Sequence, residues 1–164
     1  MTSEQHCSIG VPGKPWGKED KAAWLSQQTI KRSYQQQVVT KIEKIGQDLS
    51  ELLLIEQYGA LSYDPDTYPL WVIKTKFWQD HKPTVLITGG VHGYETSGIQ
   101  GALRFVETTL GSYANTYNFV VAPCISPWGY ETINRWNPSA IDPNRSFKSD
   151  TAVEEASNIM SYVK

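Results

Sequence analysis

The stretch "VLITGGVHGYETSG", residues 85–98, runs an apolar segment into two glycines, a histidine and, three positions later, a glutamate. Beyond it Ile99, Ala102, Leu103, Val106 and Leu110 recur three or four apart, so Val85 to Leu110 reads as a strand, a loop and a helix. His92 and Glu95 therefore follow the carboxyl end of a strand, which is where open α/β sheets gather their functional groups. Gly89, Gly90 and Gly93 permit a tight turn with positive φ and leave room beside the backbone. An imidazole nitrogen and a carboxylate oxygen three apart in one turn can aim at a single point, and that donor pair suits zinc. A glycine-rich turn with a solvated histidine and a helix-starting glutamate accounts for the same pair equally well, because a carboxylate is favourable in a helix's first turn.

Outward from this unit, helical and strand periods alternate. From Ser33 to Leu49, Tyr34, Val38, Ile42, Ile45 and Leu49 form one helical stripe. "ELLLIEQYG", "YPLWVIKT" and "TVLITGGV" are strand-length apolar runs punctuated by "DPD" and "DHKP", and they predict adjacent strands. "NFVVAPCI" predicts a further buried strand, and "TAVEEASNIMSYV" a closing helix with Thr151 and Glu154 spaced as a capping box. The fold expected is α/β, a mixed and largely buried sheet covered by helices. Residues 1–50 divide off as an amino-terminal arm and helix, irregular up to Pro15, with Trp16 and Trp24 docking the segment beyond Pro15 onto the body formed by 51–164.

Composition narrows the function classes. The net charge of −2 over 164 residues is spread without a basic block, which argues against nucleic acid or an anionic membrane as partner. No run approaches the ~20 apolar residues of a membrane span, and the first twenty residues lack an apolar signal core, so a soluble, cytoplasmic protein is expected. Cys7 and Cys124 sit in unlike contexts, which fits a reducing compartment better than a disulfide.

A second polar stretch, "CISPWGYETINRWNPSAIDPNRSF" from Cys124 to Phe147, follows another strand end and carries Arg135, Asp142, Asn144 and Arg145. An arginine fork grips a carboxylate bidentately, and a fixed cation stabilises an oxyanion. Each arginine alone is as readily a surface ion pair, and Asn144 a turn residue.

Together "GGVHGYETSG" and "SPWGYETINRWNPSAIDPNRSF" resemble the zinc carboxypeptidase superfamily of the M14 type. The resemblance implies His92 and Glu95 as ligands of one zinc ion and Arg135 as the group that polarises the scissile carbonyl. It implies Asn144 and Arg145 as the grip on a substrate's terminal carboxylate, and Asp142 as the carboxylate that orients His92. Ser126 and Trp128 stand where the family has Asn and Asp. The short intervals from Glu95 to Arg135 and on to Asn144 are closer to the aspartoacylase and succinylglutamate desuccinylase branch. The implied function is zinc-dependent hydrolysis of an amide bond beside a free carboxylate, in a peptide or, alternatively, an N-acyl amino acid. A non-catalytic carboxylate- or peptide-binding domain is the third reading.

The family also has a second ligand histidine and a general-base glutamate further downstream, and no histidine follows Arg145. His6 and His81 read as surface residues, and Glu154 and Glu155 as the solvated first turn of the last helix. The expectation is therefore the amino-terminal part of a longer enzyme, inactive alone and with apolar surface exposed. A member that kept the fold and lost the chemistry is the lesser alternative.

Overall fold

The computed structural model describes residues 9–164. His6 and Cys7 lie outside the described residues.

Two helical segments open the described chain: α1, Lys18–Ser26, and α2, Thr40–Asp48, which is entered through a π-helical turn at Gln35–Val39. The predicted stripe is in place, with Tyr34, Val38, Ile42 and Ile45 all buried and Leu49 half-buried just past the helix. The wider π turn, with the Thr40 amide donating to the Gln35 carbonyl, brings Val39 into the core beside Val38.

Four strands follow at the predicted places: β1, Leu53–Ala60; β2, Pro69–Thr75; β3, Thr84–Thr88; and β4, Asn118–Ala122. Their order is β1-β2-β4-β3, antiparallel between β1 and β2 and between β2 and β4, and parallel between β3 and β4. The sheet is mixed, as expected, but the first three strands are not all neighbours, because β4 inserts between β2 and β3. The reason lies in the side chains. Every residue of β4 is buried, which only a central position allows, whereas β3 alternates half-buried and exposed residues and takes the edge. The crossover that parallel pairing requires is made by α3, Thr96–Thr108, and the single turn α4, Leu110–Tyr113.

One face of the sheet packs Leu70, Ile73, Phe119 and Val121 against Ile42 and Ile45 of α2 and Ile99, Leu103 and Val106 of α3. The other face carries a smaller cluster of Val72, Val120, Ala122 and Ile125 under Ile159 of the last helix, α6, Glu154–Tyr162. Beside α6 this second face is open, and Trp78, Leu86 and Val163 line a groove of ≈ 790 Å³. No helix among the described residues is long and apolar enough to cross a membrane.

Two local expectations are corrected. The Thr151 hydroxyl accepts from the Val153 amide, Val153 takes the N-cap position, and the Glu154 carboxylate accepts from the Ser62 amide instead of closing a capping box. Glu155 is not solvated: it is fully buried and accepts from the Asn137 side chain at 3.3 Å. Past β4 the chain forms a buried helix, α5, Pro127–Thr132, closed by Ile133 in the left-handed conformation. Proline at the first helical position is preorganised for that start.

Candidate metal centre

The parallel pair β3–β4 delivers two chain exits side by side, and backbone hydrogen bonds zip them together. The Ile125 amide donates to the Gly89 carbonyl and the Ser126 amide to the Gly90 carbonyl, each at 3.0 Å. The Ser126 hydroxyl adds a bond of 2.7 Å to the Val91 carbonyl, so the serine that departs from the family pattern keeps a role in this turn. Trp128, the other departure, packs its ring 5.8 Å from Trp24 and joins a cluster with Trp16 and Trp136 that fastens the amino-terminal segment to α5. Glycine is required by geometry in this turn. Gly90 has φ +58°, and a Cβ on Gly93 would stand 2.0 Å from the Tyr130 nitrogen. The turn thus lies directly on the α5 backbone.

His92 emerges from this turn with its ring buried and both nitrogens engaged. Nε2 lies 2.8 Å from Asp142 Oδ1, and Nδ1 lies 3.2 Å from Glu95 Oε1. Asp142 holds three further contacts: its Oδ1 accepts from the Asn144 amide at 2.9 Å, and its Oδ2 accepts from Arg135 Nε and Nη2 at 3.1 and 3.0 Å. Burial pushes the Asp142 carboxyl up, but hydrogen bonds from His92, Arg135 and the Asn144 amide outweigh it and hold the group below the usual carboxylate range. The same carboxylate raises the Arg135 guanidinium.

An ionised Asp142 is acceptor-only, so His92 Nε2 donates to it, and Nδ1 is the ring nitrogen turned toward the Glu95 carboxylate. When Nδ1 gives up its proton, its lone pair and the Glu95 carboxylate converge on one point, which a cation would occupy. Ligands ~2.0–2.1 Å from a tetrahedral ion stand roughly 3.3 Å apart, which fits the observed 3.2 Å. His92 and Glu95 therefore suit a shared metal ion. Among the described residues no group of three or more His, Cys, Asp or Glu side chains is placed to hold one.

His92, Glu95, Arg135 and Asp142 are brought together in one connected cluster. Asn144 joins through its backbone and leaves its side chain exposed on the 3-10 turn Pro143–Arg145. Arg145 is exposed on the same turn, and its side chain makes no hydrogen bond or ion pair among the described residues. His81 is on the surface, as predicted, and Cys124 is buried, with burial pushing its thiol up.

Sequence reading missed Arg32. Its guanidinium donates to the Tyr130 carbonyl at 2.6 Å, to the Gly93 carbonyl at 2.9 Å and to the Thr96 hydroxyl, and lies 3.6 Å over the Tyr130 ring. Arg32 sits in a polar connection 61 residues from Gly93, and nothing in its neighbours signals the contact.

Solved structures share this fold. A candidate metallopeptidase of Shewanella denitrificans matches at TM-score 0.64 and 22% identity, covering 76% of this chain and 45% of that one. A second, from Shewanella amazonensis, matches at TM-score 0.65 and 22% identity, covering 84% and 55%. A metallo-carboxypeptidase of Burkholderia cenocepacia matches at TM-score 0.62 and 15% identity, covering 91% and 38%. The chain thus spans about half the length of these proteins, or less. No curated protein sequence matches it. The zinc carboxypeptidase model matches residues 65–162, the span that holds β2, β3 and β4 and every member of the cluster around His92 except Arg32, and the chain accordingly belongs to the zinc carboxypeptidase family.

Proposed function

We propose that this chain supplies one side of a zinc-dependent carboxypeptidase site, which hydrolyses an amide bond beside a free carboxylate. The observation that carries the reading is the two-sided engagement of His92, with Nε2 on an ionised Asp142 and Nδ1 facing Glu95 at 3.2 Å. His92 and Glu95 would hold the ion, and a catalytic site of this kind takes a third protein ligand. Bound zinc polarises a carbonyl and lowers the pKa of water toward ~7.

The chain's own residues divide the remaining work. Asp142 fixes the His92 tautomer and ring angle. Arg135 spends Nε and Nη2 on Asp142, which leaves Nη1 to donate to an oxyanion developing at the scissile carbonyl. The exposed Asn144 amide and Arg145 guanidinium offer a neutral and a charged donor on one turn, a pairing suited to a substrate's terminal carboxylate.

The test uses the full-length protein, with zinc titration and a panel of peptides and N-acyl amino acids. Release of carboxyl-terminal residues from peptides, lost together with zinc in His92→Ala, is the expected result. Tight zinc binding retained by His92→Ala would overturn the ligand assignment. Turnover of N-acyl amino acids alone would overturn the carboxypeptidase assignment.

A further inference from the structure

The Gly93 carbonyl lies between His92 and Glu95, and among the described residues its hydrogen-bond partner is the Arg32 Nη2 group. The other arms of the same guanidinium reach Thr96, the first residue of α3, and the Tyr130 carbonyl in α5. One side chain therefore grips the ligand-bearing turn at its middle and just past its end, and ties both points to the helix on which the turn rests. The strap that carries Arg32 is itself anchored. The amides of Lys31 and Arg32 donate to the Glu131 carbonyl at 2.8 and 3.3 Å, and Asn134 donates to the Gln28 side chain at 2.8 Å. Asn134 in turn accepts the Tyr94 amide at 3.2 Å, closing a loop of contacts around residues 93–96.

We infer that Arg32 is a positioning residue for the metal pair. By fixing the peptide between Gly93 and Tyr94, it sets the separation and mutual angle of His92 Nδ1 and the Glu95 carboxylate. The inference rests on the reading of His92 and Glu95 as metal ligands. A guanidinium is needed because three acceptors in different directions are served by one rigid planar fork, and an ammonium at the same site meets them as a single point charge.

The full-length protein is tested with Arg32→Lys, Arg32→Ala and Thr96→Val, the last removing one anchor and leaving the arginine. Zinc affinity is read by competition with a chromophoric chelator, ligand geometry by the visible absorption of the cobalt-substituted protein, and stability by thermal midpoint. Ile45→Val in the distant α2 core serves as a stability control. Both Arg32 variants are expected to weaken zinc binding by ~10-fold or more, as loss of an orienting partner does, and to change the cobalt spectrum. Thr96→Val shows a smaller shift in the same direction, and Ile45→Val changes neither readout at an equal loss of stability. Arg32→Lys and Thr96→Val with wild-type affinity and spectrum, beside a His92→Ala protein that has lost the metal, would overturn the inference alone. Tight zinc binding in His92→Ala would instead remove the ligand assignment beneath it.

Discussion

The two sides of the His92 ring are built differently. Behind it, Asp142 is mostly buried and has both oxygens occupied, by a histidine, an amide and a guanidinium, while Gly93 lies against the backbone of α5. In front, the Glu95 side chain is 49% exposed, and Asn144 and Arg145 face solvent from their turn. The rear is a closed set of hydrogen bonds held by packing; the front is a set of donors and acceptors with capacity left over. Substitutions behind the ring should therefore cost folding stability, and those in front should cost binding with little effect on stability.

The sharpest way to break this comparison is Gly93→Ala. A Cβ 2.0 Å from the Tyr130 nitrogen leaves no rotamer to choose, so the turn or α5 must move. A loss of about 3 kcal/mol is expected in chemical denaturation. A stable, unshifted variant would mean that the turn does not rest on α5.

Asp142→Ala comes next. It leaves a buried imidazole N–H and one face of Arg135 without their acceptor. The expected cost is about 2–3 kcal/mol at neutral pH. Because the folded carboxyl is held below its ordinary range, its contribution is present above the unfolded pKa and is lost as pH falls through the folded one. The difference between wild type and Asp142→Ala should accordingly shrink below about pH 4.

Glu155→Gln sharpens the comparison away from the site. Burial raises this carboxyl, so the stability tied to its neutral form is complete below the unfolded pKa and is lost as pH rises through the folded value. A neutral amide keeps an acceptor for Asn137 and removes the buried charge. The thermal midpoint should rise by a few degrees at pH 7, with the gain disappearing toward about pH 4.

The smallest effects on folding belong to the front. Glu95→Gln and Arg145→Ala should each stay within about 0.5 kcal/mol of wild-type stability. In the full-length protein the first should weaken zinc binding, and the second should leave the metal bound and raise KM.

How much the sequence disclosed depended on how far apart the interacting residues lie. His92 and Glu95 were legible because a strand, a glycine turn and a helix start occur in one contiguous run, and the positions of all four strands followed from their apolar lengths. The place of β4 between β2 and β3 was not read, although its unbroken apolar run matches a strand buried on both faces. Glu155 looked like a solvated first-turn carboxylate because local preference favours one there. Only the packing of Asn137 beside α6 makes it buried. Arg32 was invisible for the same reason in stronger form, since its partners lie 61, 64 and 98 residues away.

Those separations also order events during synthesis. When Arg32 is added to the growing chain, its farthest partner, Tyr130, is 98 residues from being made, a delay of roughly 5–20 s at ordinary elongation rates. Over that interval the β1–β2 hairpin and the β3–α3 unit can form from neighbouring residues, while the strap has nothing to close upon. The amino-terminal segment is thus translated early and docked late, and the turn bearing His92 and Glu95 acquires its final shape only after α5 has emerged.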